Sequence, residues 1–189
     1  MLKNYILLLQ IVCGLSLSWS AEQITPFLIQ GIPNEANIST APFTKIGDGY
    51  YYIEQKLRLN WYQAYESCRL IGAELISFET VEEWDALVNQ LGERKSRKDR
   101  SEYWTSGNDL GKEGKHNWFR NAQPISINKW APNQPDNAGG REHCVHLGYI
   151  YGHSKTLELN DRPCNSKNSL LSYICEASKP QTVSFIFWQ

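Results

Sequence analysis

The sequence predicts an α+β fold, with two helices early in the chain packed on short antiparallel strands. Three observations carry this expectation. Apolar residues recur twice at helical spacing between positions 60 and 92. After Trp104 no long helical period returns, and short aromatic or β-branched runs alternate with Gly, Asn and Pro. The four cysteines from Cys68 to Cys175 suit a domain held by disulfides.

The first twenty residues read as a secretory signal peptide. Lys3 supplies the positive charge, Tyr5 to Leu17 the apolar stretch, and Ser18 and Ser20 flank Trp19 ahead of cleavage before Ala21. That stretch is too short for a good transmembrane helix, and no other approaches the ~20 apolar residues that spanning requires. The mature chain is therefore expected to be secreted, extracellular and without a membrane span. Residues 21–44, rich in Pro, Asn, Thr and Ser, read as a leader without its own core. They contain the glycosylation sequon Asn37-Ile38-Ser39. One domain is expected over 45–177, followed by an apolar tail, 178–189, that includes Thr182 to Trp188 and has no assigned role.

Within the domain, Gly49 to Ile53 is aromatic and β-branched, suited to a strand. Asn60 precedes a helical period of Trp61, Ala64, Tyr65, Cys68 and Ile71; Gln63 completes a capping box and Gly72 supplies a stop. A second helix starts after Thr80, with Glu83 three residues on, an apolar face of Val81, Trp84, Leu87, Val88 and Leu91, and Gly92 at its end. Glu93 to Arg100 is a mixed-charge stretch that reads as a solvated loop. Strands are expected at Cys144 to Ile150 and Leu171 to Cys175.

The formal net charge of −1 shows no basic excess, which argues against nucleic acid. No nucleophile elbow, phosphate-binding loop or dinucleotide fingerprint is present, so an enzyme is not expected. Of five cysteines, Cys13 leaves with the signal peptide. The remaining four imply two disulfides, and spacing leaves all three pairings open. A zinc site lacks any C-x-x-C pair. His143 and His146, spaced H-x-x-H, would point to opposite faces of a strand.

The most informative residues lie between Trp130 and Cys164. Gln134 and Asp136 flank Pro135, Glu142 follows, and Asn160-Asp161 arrive just before Cys164. Together they offer carboxylate and amide oxygens, the hard donors that Ca²⁺ takes in sets of six to eight, where transition metals prefer imidazole or thiolate. A cis bond before Pro135 would turn Gln134 and Asp136 toward one point. On spacing alone, such residues in a Gly/Asn/Pro loop also suit an ordinary solvated turn.

Taken together, several segments resemble the C-type lectin family over residues 45–176. They are the Cys68 helix with the following GAELISFE, the segment opening at Trp104, the Trp-to-Asn run-up into Gln-Pro-Asp, Glu142-x-Cys144, the N-D-x-x-C step from Asn160, and the closing Y-I-C-E from Tyr173. The resemblance implies a C-type lectin-like fold with long calcium-binding loops and disulfides Cys68–Cys175 and Cys144–Cys164. It implies Ca²⁺ held by Gln134, Asp136, Glu142, Asn160 and Asp161, which would also be the carbohydrate-binding residues. Relatives with Gln-Pro-Asp favour galactose or N-acetylgalactosamine, and those with Glu-Pro-Asn favour mannose. The likeness to secreted single-domain arthropod lectins implies recognition of microbial or host glycans in innate immunity. A homo-oligomer would supply avidity. Mannose-type specificity, or a protein ligand in place of sugar, are the alternative readings.

The sequence departs from that pattern in places. Ala138 stands where galactose binders carry a stacking Trp, leaving Tyr149, Tyr151 and His153 as substitutes. Leu159 replaces a Trp expected to fill a buried position. A second family calcium site would use Asp109, Glu113 and Asn137, but His143 stands in place of its remaining acid.

Overall fold

The structure is a computed structural model that describes residues 27–28, 40–92, 102–150, 156–178 and 186–187. The chain divides into two units, a large one of residues 37–180 and a small one of 1–36 with 181–189. In the small unit, β1 (Phe27–Leu28) pairs antiparallel with the last strand, β10 (Ile186–Phe187). Leader and tail thus meet in one ladder. The expected signal peptide, Asn37, the 93–100 stretch, Tyr151 and His153 lie outside the described residues.

The large unit opens with a hairpin, β2 (Thr44–Ile46) and β3 (Gly49–Leu59). The strand expected over 49–53 runs six residues further, to Leu59. Then comes α1 (Trp61–Leu70), closed by the expected capping box: Asn60 Oδ1 accepts from Gln63 N at 2.9 Å, and Gln63 Oε1 accepts from Asn60 N at 3.3 Å. Trp61, Ala64 and Cys68 form its buried face, and Gly72, at φ +71°, takes the chain out of the helix.

Strand β4 (Ala73–Leu75) leads to α2 (Val81–Leu91), where Thr80 Oγ1 accepts from Glu83 N at 3.1 Å. Glu82 and Glu83 in its first turn complement the helix dipole. Trp84 and Leu87 are buried, but Val81, on the expected apolar face, is exposed. At the first position of the helix it lies at the end of the buried stripe.

The rest is strand and loop: β5 (Glu102–Asn108), β6 (Asn117–Trp118), β7 (Cys144–Gly148), β8 (Glu158–Arg162) and β9 (Leu171–Ala177). One eight-stranded sheet runs β2-β3-β9-β5-β7-β8, with β4 on β9 and β6 on β5. The expectation of antiparallel pairing meets one exception: β5 and β9 are parallel, with Tyr103 opposite Ser172. Far apart in sequence, these two need no tight turn between them, so parallel pairing is open to them.

Two apolar clusters lie on this sheet. One joins α2 to β7 and β8 through Trp84, Leu87, Trp118, Val145, Leu147 and Leu159. The other packs α1 against Trp104, Leu171 and Tyr173 and contains both disulfides, Cys68–Cys175 and Cys144–Cys164, with Cα separations of 5.3 and 5.2 Å. Leu159 is fully buried and fills its position as expected. Buried Glu176 pairs with Arg120, and Tyr51 Oη donates to Glu83 at 2.6 Å, so polar contacts also link α2, the sheet and the β6 loop.

Candidate metal and carbohydrate site

Strand β8 is the base of the site. Its residues alternate between half-buried and buried, and this puts the Asp161 carboxylate at 0 % exposure while Asn160 stays half-buried. The loop carrying Gln134–Asp136 is hung on the same strand: Ala131 N donates to Leu159 O and Leu159 N to Lys129 O, both at 2.9 Å. The Gln134–Pro135 bond is cis. Asp136 N and Asn137 N then donate to the two Asp161 carboxylate oxygens at 3.2 and 2.8 Å.

Asn137 acts as a bracket. At φ +46° it occupies the left-handed region that Asn tolerates. Its Oδ1 accepts from Glu142 N at 2.9 Å, drawing Glu142 back beside Asp136. Ala138 N donates to both Asp136 Oδ1 and Glu142 Oε2 at 3.2 Å. The Cys144–Cys164 disulfide ties together the chain just beyond β8 and just after Glu142.

Exposed Asp136, half-buried Glu142 and buried Asp161 each offer a carboxylate oxygen within 4.8 Å of the others. Burial, then the charges of Asp161 and Asp136, push the Glu142 carboxyl above the usual carboxylate range. Gln134 Oε1 and Asn160 Oδ1 are buried and have no hydrogen-bond partner among the described residues. Buried carbonyl oxygens are rarely left unpaired. The clustered carboxylates, with the amide oxygens of their chain neighbours Gln134 and Asn160 unpaired, fit a hard divalent cation in donor type and in net charge. All five residues expected to bind metal therefore belong to one stretch of β8 and the loop laid against it.

The residues of the family's second cation site, which His143 in place of an acid argued against, are engaged otherwise. Asp109, 3 % exposed, accepts from Gly114 N at 2.7 Å and lies 2.9 Å from His143 Nδ1 and 3.9 Å from His116 Nε2. Glu113 accepts from the Asn137 amide at 2.9 Å. His116, which no motif singles out, thus stands beside Asp109, and Trp130 lies edge to face with it at 5.3 Å. His146 is fully buried, its Nδ1 against Asn160 O at 3.1 Å. It shares no ligand geometry with His143. Tyr149, a possible stacking residue, is buried, and its hydroxyl donates to Gly92 O at 3.1 Å, so it offers no face to a sugar.

Comparison with known proteins places this geometry in context. Residues 57–177 match the Lectin C-type domain family. The chain is 51 % identical to C-type lectin 37Da of Drosophila melanogaster over the full length of both, and 35 % identical to salivary C-type lectin 1 of Aedes albopictus over 62 % of this chain and 75 % of that protein. The crystal structure of C-type lectin CEL-I from Cucumaria echinata, 20 % identical, superposes with a TM-score of 0.60 over 76 % of this chain and all of that one. These relatives are lectins and not enzymes, in line with the expectation from sequence. Motif, fold and full-length identity agree: the chain belongs to the C-type lectin family.

Proposed function

We propose that this protein is a secreted, calcium-dependent lectin that prefers galactose or N-acetylgalactosamine. The observation that carries the reading is the convergence of Asp136, Glu142 and Asp161 within 4.8 Å, flanked by the unpaired oxygens of Gln134 and Asn160. These five residues would hold the ion. Bound there, calcium supplies open coordination positions for two neighbouring sugar hydroxyls. The protein's own part is to orient those hydroxyls. Carboxylates of Asp136 and Glu142 would accept hydrogen bonds from those hydroxyls, while the amides of Gln134 and Asn160 would donate to their oxygens.

The order of amide at 134 and acid at 136 supports the galactose preference, since exchanging the two leaves charge unchanged and swaps donor for acceptor. Nothing in the binding step breaks a covalent bond. A single shallow site of this kind holds a monosaccharide at about millimolar strength, ~−4 kcal/mol. Clustered glycans or association of copies would raise avidity. Among the described residues no helix is long and apolar enough to cross a membrane, which agrees with secretion.

Retention of the mature chain on galactose-agarose and mannose-agarose, each with calcium and then with chelator, tests the reading. Chelator-reversible retention on galactose is the expected result. The same behaviour on mannose alone would mean that the short loop around Ala138 overrides the Gln-Pro-Asp order. Retention on neither would turn the assignment toward a protein ligand.

A further inference from the structure

A cleft of about 340 Å³ opens directly beside the Gln134–Pro135–Asp136 turn, with Pro135 as a shared wall. Lys115, His116, Asn117, Pro124, Ile125 and Trp130 form most of the remaining wall. Its chemistry is mixed in a specific way. Indole, proline and isoleucine give an apolar floor, and an amide and an exposed ammonium stand with them. A pyranose has that same division, an apolar C–H face and a hydroxylated edge, and aromatic rings are the side chains that match the first.

The indole is also held in place. Trp130 bridges to Leu159 in β8, its neighbours Lys129 and Ala131 bond to the Leu159 backbone, and His116 packs edge-on against it at 5.3 Å. His116 is itself pinned, with Ile125 N donating to its carbonyl at 3.0 Å. An aromatic surface fixed before binding loses little entropy when a ligand stacks on it. Ala138 and buried Tyr149 provide no such surface.

We infer that this cleft is a second sugar subsite. With a terminal galactose-type unit at the 134–161 site, the next unit of the same oligosaccharide lies with its C–H face against Trp130 and Pro135 and its polar edge toward Lys115 and Asn117. The inference rests on the lectin reading above and extends it from a monosaccharide to an oligosaccharide.

The test compares methyl galactoside with a panel of differently linked galactosyl disaccharides as inhibitors of calcium-dependent retention on galactose resin. It is run on the full mature chain, on Trp130→Leu, and on Pro124→Arg, which crowds the cleft from an exposed position on its wall. At least one disaccharide should inhibit about tenfold more strongly than the galactoside, equivalent to ~1.4 kcal/mol. That ratio should fall toward unity in each variant that still unfolds cooperatively. If the galactoside inhibits but every disaccharide stays within about twofold of it, or if the ratio survives in a cooperatively folded variant, the subsite is refuted and the primary site stands. If neither galactoside nor disaccharide acts on the wild type, both readings fall together.

Discussion

Replacing Glu142 by Gln should make the metal-free protein more stable and should shrink the stabilisation that calcium adds. The sign follows from the cluster. Three carboxylates lie within 4.8 Å of one another, and Glu142 takes part in two of the three pairs. At that separation each pair repels by about 0.9 kcal/mol in bulk water and about 3.5 kcal/mol at the effective dielectric of a protein surface. Asp136 is exposed and Glu142 half-buried, so solvent screening brings the total for the two pairs to about 2 kcal/mol. For a domain of this size that raises the unfolding midpoint in chelator by about 5 °C. Calcium works in the opposite direction. If the site binds at about 0.3 mM, typical of extracellular modules, ~3 mM calcium stabilises the wild type by about 1.4 kcal/mol. Losing one charged ligand and about tenfold in affinity cuts this to about 0.4 kcal/mol. Thermal unfolding followed by circular dichroism, with chelator and with calcium, reads both effects on the same pair of proteins. A lower midpoint for the variant in chelator, or an undiminished calcium shift, would refute the reasoning.

The same carboxyl predicts a pH dependence. Burial and two neighbouring charges hold Glu142 above the usual carboxylate range, so the proton competes with calcium earlier than at an ordinary glutamate. Calcium-dependent retention on sugar resin should be lost as pH falls through that raised value. In chelator this group acts the other way: the folded state holds its proton more tightly, so its contribution to stability is present at low pH and lost as pH rises through the folded value. Removing the Cys144–Cys164 disulfide by double alanine substitution frees a chain separation of 20 residues, worth about 3.3 kcal/mol of loop entropy, and should also raise the calcium concentration needed for stabilisation. Urea unfolding with and without calcium checks both. Arg120→Ala leaves Glu176, 3 % exposed, without its ion-pair partner and should cost about 3 kcal/mol with little change in sugar binding, measured by urea unfolding and resin retention.

Both helices were legible because their signals are local. The box of Asn60 with Gln63 and the cap of Thr80 act over three residues, and the buried faces repeat at the helical period. The strands were less so. Strand β8 has charged or amide residues at four of its five positions, Glu158, Asn160, Asp161 and Arg162, and its place is fixed by pairing with β7 and not by propensity. Strand β5 runs through Thr105, Ser106 and Gly107, all buried, where a sequence pattern seeks alternation. Gly107 allows a close approach there: a Cβ would lie 2.8 Å from both Ile125 and Val145 side-chain carbons.

At the site, residue types announced the chemistry but not the support. Gln134, Asp136, Glu142, Asn160 and Asp161 could be singled out because acids and amides are the donors a hard cation needs. What sequence did not disclose is that Asn137, grouped there with a second cation, spends its side chain bonding Glu113 and the Glu142 backbone. Nor did it disclose that Asp109 is met by His143 and stands beside His116. These contacts have a common physical sense. A buried acid must be compensated by some partner, and around Asp109 backbone and imidazole provide it without an ion. Among the described residues the Asp161 carboxylate accepts from two backbone amides, and two further carboxylates converge on it. Two buried aspartates are thus resolved differently. The first is satisfied from within the chain, and the second retains an excess of negative charge that a divalent cation would neutralise. That contrast supports the proposed site at Asp161 more than the count of acids does.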